Sequence, residues 1–127
     1  MRYFWPTTLM LLALGGCGLF TKSGKYSVYF QPYSANFDAQ ANETINSAAD
    51  FAQAHPALPV VVNGYSSPPD PKLDVPGLSD QRAEGVKQML IAAGVSPNRI
   101  VTRAHGITDP QNLPDVAMRR VDIGIGQ

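Results

Sequence analysis

The order of apolar patterns along this chain predicts an α/β fold, a βαβαββ two-layer sandwich with both helices on one face of the sheet. Three observations carry that expectation. Ala41, Ile45, Ala48 and Ala52 recur at helical spacing with Phe51 beside them, and Ala83, Val86, Leu90 and Ala93 repeat the pattern. Short β-branched runs stand before, between and after the two stripes, at residues 27–30, 60–62 and 100–104, with Val121, Ile123 and Ile125 alternating at the end. A strand–helix–strand unit closes by a right-handed crossover, which brings its helices to one side.

Each element has its own local warrant. Residues 27–30 (SVYF) are β-branched and aromatic, and a loop with Pro32 follows over 31–36. Asp38 stands where an N-cap belongs, and the first helix stops at His55-Pro56, because a residue before proline disfavours the helical region. The all-apolar Val60-Val61-Val62 reads as a strand buried on both faces. Residues 64–77, with prolines at 68, 69, 71 and 76, read as a long turn-rich stretch. Ser79 is the expected N-cap of the second helix and Gly94 its stop. A polar loop separates the strand at 100–104 from the last strand.

The N-terminus belongs to targeting rather than to the fold. Met1 and Arg2 give a positive start, and the eight residues 7–14 (TTLMLLAL) are apolar. A bilayer span needs about 20 residues, so this stretch reads as a signal peptide. Leu14-Gly15-Gly16-Cys17 resembles the lipobox of bacterial lipoproteins. That resemblance implies cleavage after residue 16, a diacylglycerol on the Cys17 thiol and an acylated new amine. Gly18 lacks the aspartate of inner-membrane retention, so the implied destination is the outer membrane with the domain in the periplasm. The expected organisation is a signal peptide at 1–16, a lipidated N-terminus and linker at 17–25, and one domain at 26–127.

Charge and composition narrow the functions. Lys and Arg number 10 and Asp and Glu 10, with no basic run, which argues against a nucleic-acid partner. Cleavage would remove Arg2 and leave the remainder slightly acidic, so net charge offers no steering toward an anionic polymer. A single cysteine excludes an internal disulfide. His55 and His105 are isolated and give no metal spacing, and no Gly-x-Ser-x-Gly elbow is present. The chain is therefore expected not to be an enzyme and to need no cofactor.

One constellation points to binding. Gly64 is followed by Leu78-Ser79-Asp80-Gln81-Arg82-Ala83 and then by Arg119-Arg120-Val121. These residues, with Phe30 and Ser34-Ala35 ahead of them, resemble the OmpA-like C-terminal domain, whose branches include the Pal-type lipoproteins. The resemblance runs from about Tyr26 to Ile125. It implies non-covalent binding of peptidoglycan through the diaminopimelate of the stem peptide, an arginine gripping a carboxylate and an aspartate meeting the ammonium. Arg82 matches that arginine, and Arg120 lies in the matching arginine pair. Tyr65, Ser66 and Ser67 stand where the family has His, Thr and Asp, while Val75 and Met118 replace two asparagines. The family aspartate is thus missing; Ser67 remains as a hydrogen-bond acceptor, and Asp70 or Asp74 in the same loop is the candidate substitute.

Arg82 also has a physical argument of its own. In the first turn of a helix the macrodipole is positive, so a cation there is unfavourable unless it pairs with an anion. Exposed N–H groups and a guanidinium fork together suit a carboxylate. The plainer alternative is that Arg82 pairs with Asp80, Asp70 or Asp74, or packs along its stem. By strand parity Arg119 points toward the core side or its rim and Arg120 toward the other face. Two functions follow: an outer-membrane lipoprotein tethering membrane to wall, or an interaction module for envelope proteins in which the wall site has decayed.

Overall fold

The computed structural model describes residues 23–66, 77–107 and 115–126. The elements are β1 (Gly24–Tyr29), α1 (Ala39–Ala54), β2 (Val60–Ser66), α2 (Leu78–Ala92), β3 (Ile100–Ile107), α3 (Asp115–Met118) and β4 (Arg120–Ile125), with a 3-10 turn at Pro97–Arg99 ahead of β3. The strands form one sheet in the order β1-β4-β2-β3. β4 is antiparallel to both β1 and β2, whereas β2 and β3, joined through α2, run parallel. The βαβαββ expectation holds, with α3 as an addition.

Burial alternates along the strands, which fixes the two faces of the sheet. Val28 of β1, Val60 and Val62 of β2, Ile100 of β3 and Val121, Ile123 and Ile125 of β4 turn toward the helices. They meet Ala41, Ile45, Ala48, Ala49 and Ala52 of α1 and Ala83, Val86 and Leu90 of α2. The many alanines let α1 lie close against the sheet, and each apolar side chain removed from water contributes at about 25 cal/mol per Å². The other face carries Lys25, Ser27 and Tyr29; Arg120 and Asp122; Val61, Asn63 and Tyr65; and Val101, Arg103 and His105.

Several expectations need correction. β1 begins at Gly24 and so takes in Lys25, which the sequence alone leaves in the linker. β2 is not buried on both faces: Val61 is half-buried, and the strand alternates to its end. It also continues through Gly64 to Ser66, beyond the point where the sequence turns to a loop. Gly64 is required there, because a Cβ would run into the Ser79 carbonyl oxygen and the Ala83 side chain where α2 crosses β2.

The helix ends divide in the same way. Asp38 caps α1, its Oδ1 accepting from the Ala41 N–H at 2.7 Å, and His55 closes it. Ser79 does not cap α2. Gly77, in a left-handed conformation at φ 76°, occupies the N-cap, and Ser79 is buried, its Oγ accepting from the Gly106 N–H at 3.0 Å. A tertiary contact to β3 has taken the hydroxyl that local logic assigned to the helix.

Candidate functional site

The C-terminal end of β2 and the first two turns of α2 bring together the elements around Arg82. Leu78, Ser79, Arg82 and Ala83 line the buried side of those turns, and with Gly77 as the cap Arg82 falls in the second rather than the first. Arg82 is 0% exposed. Its Nε donates to the Ser34 carbonyl at 2.9 Å, one terminal nitrogen to the Tyr65 carbonyl at 3.1 Å, and the other to the Gln31 carbonyl at 3.3 Å. The guanidinium also lies 5.2 Å from the centre of the Phe30 ring. One fork therefore ties the segment after β1 to the end of β2 and to α2.

Its electrostatics are one-sided. Among the described residues the only ion pair is Arg120 with Asp122, so Arg82 has no carboxylate partner there, and Asp80 does not supply one. Carbonyl dipoles accept its hydrogen bonds but carry no net charge. Arg119 adds a second cation: its Nε donates to the Phe30 carbonyl at 3.2 Å, and its own carbonyl accepts from Phe30 N–H. Burial first, and the neighbouring Arg119 charge second, push the Arg82 pKa down to about 10. The guanidinium stays charged at neutral pH, and an anion placed beside it would be stabilised. Three of its five N–H groups have partners among the described residues.

The two arginines of the pair separate as strand parity requires. Arg119, half-buried, faces the Phe30 carbonyl at the rim of the core, whereas Arg120 lies on the open face of the sheet. Arg120 Nε donates to both Asp122 oxygens at 3.2 and 3.0 Å, and a terminal nitrogen donates to the Ala117 carbonyl of α3. Its guanidinium sits 4.5 Å from the centre of the Tyr65 ring. On its other side Tyr65 stacks on His105, centroids 4.7 Å apart and planes 10° from parallel. His105 Nε2 lies 2.9 Å from Asn63 Oδ1, and Ser27 donates to Asp122 at 2.7 Å. His105 thus belongs to β3, which runs past residue 104, where the sequence pattern ends that strand.

Tyr65 joins the two groups. Its carbonyl accepts from Arg82 while its ring touches Arg120 and His105. The structure therefore brings Arg82 and Arg120 to one end of β2, but on opposite sides of the sheet. Ser67, Asp70 and Asp74, and with them the substitute acid, lie outside the described residues, as does Cys17. Among the described residues no group of His, Cys, Asp or Glu is arranged to hold a metal, and no helix is long and apolar enough to cross a membrane.

Arg99 was not among the candidates read from the sequence. Its fork donates to the Ala52, His55 and Leu58 carbonyls at 2.8–3.3 Å, at the C-terminal end of α1. A signal existed: the last turn of α1 carries no basic residue, so its free carbonyls needed a donor from elsewhere.

Known proteins resemble this chain over most of its length. The profile described as the OmpA family matches residues 29–122. Outer membrane porin F of Pseudomonas fluorescens is 36% identical over 66 residues, which is 52% of this chain but only 20% of that porin. Among solved structures, the OmpA-like domain of FopA1 from Francisella tularensis is similar at TM-score 0.69 and 21% identity, covering 80% of this chain and 71% of that one. The peptidoglycan-associated lipoprotein of Burkholderia pseudomallei follows at TM-score 0.68 and 24% identity, over 79% and 89% of the two chains. The periplasmic domain of Helicobacter pylori MotB gives TM-score 0.67 and 20% identity over 85% and 78%. At these identities the structural likenesses speak for the fold.

Proposed function

The chain belongs to the OmpA family, and on that premise we propose that it is an outer-membrane lipoprotein of the periplasm that binds peptidoglycan non-covalently and tethers membrane to wall. The observation that carries the reading is the buried guanidinium of Arg82, set beside Arg119 and without a carboxylate among the described residues. A charge removed from water and left unpaired is costly, and a stem-peptide carboxylate supplies the missing counter-charge. Arg82 draws the carboxylate, and Ser67 and Asp70, which follow β2 in the sequence, meet the ammonium. Arg120 acts through Tyr65, whose ring it holds while the Tyr65 carbonyl holds Arg82. The lipid on Cys17 supplies the membrane end of the tether; two or three acyl chains hold where one anchors only marginally. The domain binds and positions; it needs no cofactor and catalyses nothing.

The complete burial of Arg82 favours one other reading, in which the arginine now serves the fold alone and the domain docks onto envelope proteins. Sedimentation with purified diaminopimelate-type peptidoglycan separates the two. The full-length protein in mild detergent is expected to pellet with the wall, and Arg82→Lys, which keeps the charge but loses the fork, to stay in the supernatant while remaining folded by circular dichroism. A wild-type protein that stays in solution supports the protein-docking reading instead. Labelled palmitate incorporated by the wild type and not by Cys17→Ala tests the anchor separately.

A further inference from the structure

A chain neutral in sum is not neutral in layout. Asp38 at the cap of α1 and Glu43, Asp50, Asp80 and Glu84 on the two helices are all exposed, against Lys87 and the buried Arg82 within those spans. The open face of the sheet has the opposite sign. It carries Lys25, Arg103 and Arg120 against Asp122 alone, and Asp122 is already paired with Arg120. Lys25 and Arg103 are exposed and form no ion pair with any described residue.

Register arranges this face in rows. Tyr29 lies opposite Arg120, which contacts Tyr65, which stacks on His105. The next row runs Ser27, Asp122, Asn63, Arg103. Tyr29 and Val101 are each 49% exposed. The first row includes Tyr65, whose carbonyl holds Arg82 from the other side of the sheet, so the face borders the candidate site.

We propose that this open sheet face is a second contact surface for the wall polymer, an inference that rests on the peptidoglycan reading above. Peptidoglycan presents many stem-peptide carboxylates at repeated spacing. A basic, partly aromatic face meets several of them at once, while the acidic helix layer is turned away. Charge complementarity selects the occupant: an anionic polymer suits this face, and a second copy of it does not. The Arg82 end would read one stem peptide, and the sheet face would add the avidity that the polymer offers and a single stem peptide does not.

The test compares the full-length protein with a Lys25→Glu/Arg103→Glu variant, both in mild detergent, against two ligands. One is purified diaminopimelate-type peptidoglycan, assayed by sedimentation; the other is a soluble monomeric muropeptide, assayed by calorimetry. At about 0.05 M salt the variant is expected to bind polymer at least about fivefold more weakly, a difference that vanishes near about 0.5 M where screening is short-ranged. Its muropeptide affinity should equal the wild type's. Polymer binding unchanged by the double substitution would overturn the proposal and leave the face to an acidic protein partner. A wild type that binds polymer but no muropeptide would instead sink the Arg82 pocket and leave the face as the wall contact. A wild type that binds neither would sink both.

Discussion

Two arginines at opposite ends of β2 make the same shape with opposite consequences. Arg99, ahead of the neighbouring strand β3, holds three carbonyls where α1 ends and the chain enters β2; Arg82 holds three carbonyls where β2 ends and α2 begins. Arg99 sits at a helix C-terminus, where the macrodipole is negative and a cation is welcome. It is only half-buried, and the carbonyls it takes lie at the end of α1 and just past it. Arg82 sits one turn inside the N-terminal end of α2, fully buried, with Arg119 for a neighbour. Among the described residues, one clasp is electrostatically complete and the other carries surplus positive charge. The geometry of the fork alone cannot distinguish a structural brace from a binding site; the field around it does.

Removing the forks should separate them first by size. Arg82→Ala would strip donors from three carbonyls and is expected to cost about 3 kcal/mol or more, since hydrogen bonds from charged donors are worth about 1.5–3 kcal/mol each. Arg99→Ala, at a half-exposed site where water replaces the donor, is expected to cost about 1–2 kcal/mol. Urea unfolding of both variants measures the gap, and equal losses would erase the distinction drawn here. Alkaline pH offers a smaller effect with a defined sign. Because the folded pKa of Arg82 lies below that of the free group, the unfolded chain holds the proton longer. Stability from this group is therefore flat below about pH 10 and rises with pH above it. Relative to Arg82→Ala, the wild type should gain about 1 kcal/mol between about pH 9 and 11.

The same contrast explains what the sequence disclosed. Asp38 as a cap and the stripe Ala41, Ile45, Ala48 and Ala52 are local patterns, and the fold keeps them. Arg82 was marked by an unfavourable charge on a helix start, again a local fact. The clasp it makes was not, because Gln31 and Ser34 lie 51 and 48 residues away along the chain. Arg99 escaped for the same reason: the end of α1 lacks a basic residue, but nothing local points to Arg99, more than 40 residues on, as the donor. Gly64 reads in the sequence as the start of a turn-rich stretch and is a strand interior, since only the approach of α2 shows why a side chain is excluded. The four residues of α3 are too few to show a period. Charge layout was the largest hidden quantity, because a balance of 10 against 10 conceals a basic sheet face and acidic helices.

Thermal unfolding of the full-length protein with and without a diaminopimelate-containing muropeptide tests the central claim most directly. A ligand bound only by the folded state stabilises it by about 2.7 kcal/mol at a hundred times its Kd. The account predicts a rise of several degrees for the wild type, the same rise for Arg99→Ala from its lower baseline, and none for Arg82→Lys. No rise in the wild type, or an equal rise in Arg82→Lys, would contradict it, and the two arginines would then be the same kind of brace.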